Sequence, residues 1–258
     1  MGEEEGEIDT VDYSTSFAKA PPSPDDLVKT GIPGLDSMIG GGFERKSVVI
    51  VSGTAGSGKT ILALQFLYNG AVQFNEPGLY ITFEESKESV FKHMLKFGWD
   101  FEELERQRKI LVLEYPPHEV DRFISEGAVI EDMVREYGIQ RVVMDSITSF
   151  MLLYSDEYRR RQVFLKTMEL LRKWECTTLL TSEATASESG EPKARFGVEF
   201  LADALLSIHV IRRGGTKSLA IEVVKMRGVA HEMRINLMKI TPNGIEVYPS
   251  QPVFGSEP

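Results

Sequence analysis

Apolar residues in this chain follow two rhythms that take turns. Short runs rich in Val, Ile, Leu and Thr read as buried strands: 47–51 (SVVIV), 78–83 (GLYITF), Ile110–Glu114, Arg141–Asp145 (RVVMD) and 177–182 (TTLLTS). Between them lie longer stretches with apolar positions at helical spacing. These are 60–74, with Leu62, Phe66 and Leu67 on or near one face; 86–97, capped by Gly98; 128–137, closed by Gly138; and 156–174, where Phe164, Leu165, Met168 and Leu171 recur. Leu35, Met38 and Ile39 add one short helical turn among the glycines and prolines of 30–43.

Strand–helix alternation implies right-handed crossovers and a mostly parallel sheet covered on both faces. The ending differs. Stretches 204–212, 218–226, 233–239 and 244–248 are strand-like with no helix between them. They read as antiparallel hairpins extending the sheet edge, turned at Arg213-Gly214-Gly215-Thr216 and Pro242-Asn243-Gly244. The expected class is α/β: a mostly parallel twisted sheet, helices on both faces and antiparallel C-terminal hairpins. A length of 258 residues suits one large domain, placed at 27–250, with tails at 1–26 and 251–258.

Composition changes this picture at the ends. Residues 1–26 hold eight acids and one base, Lys19, while the whole chain carries −10, so the rest is near neutral. With the Pro21-Pro22-Ser23-Pro24 stretch, this segment reads as a solvated leader or a partner-binding arm. Its acidity does not fit a signal or transit peptide. A single cysteine, Cys176, excludes a disulfide framework or zinc cluster and fits a reducing compartment. No apolar run approaches the ~20 residues of a membrane helix. The expected location is cytoplasmic, with no membrane partner.

Candidate chemistry centres on Gly53-Thr54-Ala55-Gly56-Ser57-Gly58-Lys59-Thr60, a full match to G-x-x-x-x-G-K-[ST]. Glycines let backbone N–H groups curl around anionic oxygens, and the following helix aims its positive dipole end at them. Lys59 supplies a mobile charge to the β- and γ-phosphates, and the Thr60 hydroxyl can ligate Mg²⁺. A β-branched run enters the loop and a helical pattern leaves it, which an incidental glycine turn would not need. Asp145 ends an apolar strand, where ligands bind in open α/β sheets, and is expected to hold the magnesium, directly or through water. A simple turn cap is the bland reading.

The 78–83 strand runs straight into Glu84-Glu85-Ser86. If that strand lies beside the phosphate-loop strand, the two carboxylates face the γ-phosphate and can take a proton from an attacking water. Acids there also suit a helix start. Both can hold, one Glu for chemistry and the other for the helix. No Asn-Lys-x-Asp tetrad points to guanine.

Beyond the loop, the chain resembles the KaiC-like branch of the RecA/RadA ATPases in single-domain form, from about Thr30 to Pro249. The resemblance rests on TGIPGLD, GTAGSGKT, FEES, KFGWD, VVMDS, the TSE strand end, ARFGVEFLAD, Lys225-Met226-Arg227-Gly228-Val229-Ala230-His231 and ITPNGIEVYP. It implies a RecA-like core, ATP and Mg²⁺ as ligands, and a homo-oligomeric ring, favoured as a hexamer, with ATP between subunits. It also implies a nucleotide set of Gly53, Thr54, Ala55, Gly56, Ser57, Gly58, Lys59, Thr60 and Ile61. Lys225, Arg227 and His231 would reach a neighbour's nucleotide, and Lys96 would approach the adenine end. Glu84 is the favoured base with Glu85 assisting, Lys59 and Arg227 serve catalysis, Thr60 and Asp145 hold the metal, and Ser182 and Glu183 lie at a γ-phosphate-sensing strand end. Lys225 and Arg227 alternate along one strand and should face one side.

The implied activity is ATP hydrolysis in a regulatory or DNA-transaction ring. The alternatives are a nucleotide-gated binding module with negligible ATPase, acting on a protein partner, and a recombination accessory that binds DNA. Circadian KaiC has two such domains and autophosphorylates in the second. This chain has one, so no clock function or autokinase activity at Thr185, Ser187 or Ser189 is expected. Arg159, Arg160 and Arg161 open the long helix and read as a solvated face or a nucleic-acid contact. His93, His118, His209 and His231 lack metal-ligand spacing, with His209 a satisfied core residue, and Trp99 and Trp174 read as packing.

Overall fold

A nine-stranded sheet places the loops and helix ends that bear on the site. The computed structural model describes residues 23–116, 119–186, 192–193, 197, 199–213 and 215–252. Most of the acidic leader, His118, Ser187, Ser189, Gly214 and residues 253–258 lie outside them. Two short strands, β1 (Leu27–Val28) and β2 (Phe43–Glu44), pair antiparallel around the helical turn α1 (Leu35–Met38). Asp36 holds this opening segment by accepting from the Thr30 and Gly31 amides and the Thr30 hydroxyl, at 2.8, 3.1 and 2.6 Å.

The parallel strands are β3 (Val48–Gly53), β4 (Gly78–Thr82), β5 (Ile110–Glu114), β6 (Arg141–Asp145) and β7 (Thr177–Glu183). A small ladder of β8 (Thr185–Ala186) and β9 (Pro192–Lys193) follows. Then come β10 (Ala204–Arg213), β11 (Thr216–Met226), β12 (Asn236–Thr241) and β13 (Gly244–Pro252). The order across the sheet is β13-β12-β11-β10-β3-β7-β6-β4-β5. Pairing is parallel from β10 to β5 and antiparallel from β10 to β13.

Helices α2 (Lys59–Gln73), α3 (Lys87–Met94) and α4 (Phe101–Arg106) contribute to one face. Helices α5 (Val120–Ser125), α6 (Gly127–Glu136), α7 (Ile147–Leu152) and α8 (Glu157–Lys173) contribute to the other. Strand alternation divides the core: Val49, Val51 and Val143 pack on the first side, Val48, Ile50, Val142 and Met144 on the second. Burial on both faces explains the unbroken apolar runs. Cys176 is buried, and burial pushes its thiol up to about 12.

Two expectations about elements are corrected, and two further features go beyond what the pattern shows. The 86–97 helix is α3 followed by a tighter turn at Leu95–Phe97, because Ser86 caps the start and Gly98 ends the turn left-handed. The last-but-one strand is Asn236–Thr241, not 233–239: Met233 and Ile235 are exposed, and pairing with β11 begins at Asn236. Strand β4 does not lie beside β3, since β7 and β6 intervene. Helix α2 buries more than one face, because Leu62, Ala63, Leu64, Gln65, Phe66 and Leu67 are all enclosed.

The enclosure of α2 comes from the C-terminal strands as well as the parallel sheet. The Gln65 side-chain amide accepts from the Ile245 N–H at 2.6 Å and donates to the Ile245 carbonyl at 3.2 Å, like a neighbouring strand. Tyr68 stacks on Trp99, centroids 5.4 Å apart, and closes the same flank.

Arg141 is the largest surprise of the interior. It is fully buried at the start of β6. Its guanidinium donates to Glu76 Oε2 at 2.7 Å and to the carbonyls of Phe66 and Lys29, both at 2.8 Å. The same group lies 4.5 Å from the Phe66 ring centroid. Burial lowers its pKa, and the Glu76 charge opposes that.

Candidate nucleotide site

Strand β3 stops at Gly53 and α2 starts at Lys59, so residues 54–58 form a short loop at the carboxyl end of the sheet. Gly58 takes φ 97° as the residue before the helix, a conformation that glycine adopts without a steric cost. No side chain caps α2 there. Its first N–H groups are therefore available to an anion. At Gly53 a Cβ would meet Ser57 Oγ at 2.6 Å and the Ile208 carbonyl at 2.9 Å, so the close turn requires its absence. Ser57 Oγ is buried with no hydrogen-bond partner among the described residues.

Lys59 donates to the Thr54 carbonyl at 3.1 Å, folded back into the loop. Burial lowers its pKa, while the charges of Asp145, Glu183 and Glu84 work against that. Ile61, two residues on, packs against the core.

Asp145 ends β6 inside the sheet and collects three hydroxyl donors. Thr60 Oγ1 reaches Oδ2 at 2.8 Å, Tyr80 reaches the same oxygen at 3.0 Å, and Thr181 donates to Oδ1. Burial raises the Asp145 pKa, and these three bonds oppose the rise. Burial likewise raises the Tyr80 pKa, so the phenol remains a donor. A hydroxyl and a carboxylate in contact at a phosphate loop are the hard oxygen ligands that Mg²⁺ takes. The donor set fits that ion.

The paired acids separate. Glu84 turns across to the end of β6, where Ser146 and Ser149 each donate to Oε1 at 2.5 Å. Its charge is thereby felt at Lys59 although β7 and β6 separate β4 from β3. Ser146 also caps α7. Glu85 turns along α3, where Oε2 meets Ser89 Oγ at 3.0 Å and His93 Nδ1 at 3.2 Å. On the far side, Glu183 stands in register with Gly53, and its N–H donates to Thr148 Oγ1 at 2.7 Å. Ser182 approaches Glu199 at 3.5 Å.

Other expected residues sit elsewhere. Lys225 Nζ donates to the carbonyls of Phe200 and Ala202, and Arg227 lies 3.5 Å from Asp203. Both meet the 200–203 segment, and the Arg227 N–H, just past β11, donates to the Asp203 carbonyl at 2.9 Å. His231 Nδ1 lies 3.1 Å from the Glu232 carbonyl, and Lys96 is exposed after α3. None of the four has a hydrogen bond or ion pair to residues 53–60 among the described residues. Arg159 stacks over Tyr154 at 5.5 Å, and His209 pairs with Glu222 at 2.8 Å across β10 and β11.

Tyr80, Ser146, Ser149 and Thr181 were not singled out by sequence reasoning. The available signals were slight: a polar tip inside an apolar strand and a Ser-x-x-Ser after Asp145. No helix among the described residues is long and apolar enough to cross a membrane.

A phosphate loop, an acid at the end of β6 and a β10–β13 antiparallel extension together define a RecA-like nucleotide-binding protein. The family model for the KaiC ATPase matches residues 28–252. The chain belongs to the KaiC ATPase family. It is 33% identical over 238 residues to a UPF0273 protein of Thermotoga maritima, covering 87% of this chain and 96% of that one. It is 34% identical over 229 residues to the circadian clock oscillator protein KaiC of Parathermosynechococcus lividus, covering 86% of this chain. It spans only 42% of that clock protein's length. The crystal structure of a KaiC-like protein from Pyrococcus horikoshii superposes with a TM-score of 0.77 at 36% identity, covering 86% of this chain and 99% of that one.

Proposed function

We propose that this chain binds ATP at the 53–60 loop and hydrolyses it with Mg²⁺, as a ring of identical copies whose sites lie at protomer boundaries. The observation that carries this reading is the convergence of Lys59, the Thr60–Asp145 pair and Glu84 at one end of the sheet. Loop amides and the α2 terminus bind the phosphates, and Lys59 leaves the Thr54 carbonyl for their β- and γ-oxygens. Thr60 and Asp145 hold Mg²⁺, which when bound neutralises charge on the phosphate oxygens. Glu84, exposed to solvent and oriented by Ser146 and Ser149, accepts the proton of the attacking water. Glu85 serves the start of α3.

Arg227, Lys225 and His231 complete the neighbour's site in this reading. What supports it is the exposed guanidinium of Arg227 and the place of residues 225–231 inside the 28–252 family match. The test is native mass measurement with and without Mg·ATP, run beside an ATPase assay. A ring that forms with nucleotide and turns it over is the expected result. A monomer with unchanged turnover at every concentration overturns the shared site. Arg227→Ala is expected to keep the assembly and lower turnover by about tenfold or more, since an external arginine offsets charge on the transferred group.

A further inference from the structure

We propose that Tyr80 is a positioning residue for the metal-holding carboxylate, its phenol fixing Asp145 for Mg²⁺ while Thr60 serves the ion. This rests on the reading of Asp145 given above. Tyr80 belongs to β4, on the opposite side of β6 from β7 and outside the phosphate loop. In register it pairs with Val143, two residues before Asp145. Its side chain must therefore run along the sheet by about two residue rises, roughly 6.6 Å, before meeting the carboxylate. A long side chain with a donor at its tip spans that gap. A phenylalanine fills the same space and offers nothing at the end.

The geometry divides the work among three donors. Thr60 and Tyr80 share Oδ2, and Thr181 takes Oδ1. Thr60 has a second duty, because its oxygen is also a metal ligand. It sits at the start of α2, directly after the phosphate loop. Tyr80 and Thr181 sit inside strands that are buried on both faces, β4 and β7. The Tyr80 ring is 1% exposed and packed in the α2-side core, so its hydroxyl is a fixed reference point. Partners one step removed from a metal orient its ligands, and their loss typically weakens metal affinity by about 10–100-fold.

A plain packing role makes a different forecast. A buried tyrosine needs a hydrogen-bond partner, and Asp145 would merely satisfy it. Phenylalanine at 80 would then leave the metal response untouched.

The experiment uses the full chain with a fluorescent ATP analogue, reading nucleotide affinity rather than turnover. For wild type, Tyr80→Phe and Thr181→Val, affinity is measured in EDTA and across a Mg²⁺ titration. Each protein is compared with itself, so general loosening cancels. The expected result is an unchanged EDTA affinity for Tyr80→Phe and a Mg²⁺ requirement raised about tenfold. Thr181→Val should shift the same way. A Tyr80→Phe titration that overlays wild type overturns the proposal and leaves the Asp145 reading standing. A wild type whose affinity ignores Mg²⁺ overturns the Asp145 reading itself, and Tyr80's role with it.

Discussion

Glu84→Gln keeps its ATP and turns it over about 10²–10⁴-fold more slowly, the usual contribution of a positioned general base. The amide oxygen of glutamine still accepts from Ser146 and Ser149, so the local structure survives while the proton acceptor is gone. Glu85→Gln, one residue on, stays near wild type, because its carboxylate serves Ser89 and His93 on α3. Single-turnover phosphate release measured beside an ATP titration checks both. Slow release in Glu85→Gln with normal release in Glu84→Gln would assign the base to the other acid.

Arg141→Ala is the most damaging change expected away from the chemistry. Breaking a buried ion pair on one side costs about 3–5 kcal/mol, a large share of the roughly 5–15 kcal/mol that holds a domain together. Glu76 is left without its closer guanidinium, and the carbonyls of Phe66 and Lys29 lose their donor. Urea unfolding reads the loss. Replacing the whole pair, Arg141→Met with Glu76→Leu, removes the stranded charge but not the loss of the donors to the Lys29 and Phe66 carbonyls, so the double variant should recover only part of it. Full recovery would mean that the backbone contacts contribute little.

Elements whose pattern is long or tied to chemistry were readable from the residues. The phosphate loop is fixed by what phosphate requires, and a continuous apolar run such as 48–51 admits one structure when both faces are covered. Helices α4, α5 and α7 were not readable, because six residues complete fewer than two turns and leave no periodicity to detect. Strand order is a long-range property that local pattern does not encode. Glu84 follows a strand separated from β3 by β7 and β6, and its carboxylate reaches the end of β6, where Ser146 and Ser149 donate to it. Arg141 escaped notice for a similar reason: a charge opening an apolar run looks like an edge until Glu76 is found against it.

The bond between Gln65 and Ile245 has a practical outcome. The helix that begins at Lys59 is bolted to β13, the last strand among the described residues, through a partner 180 residues away. If the polypeptide were cut at the 213–216 hairpin and made as two pieces, the first would own the whole 53–60 loop and still lack the wall that keeps its helix in place. Nucleotide capture should then report reassembly of the halves, appearing only when both are mixed.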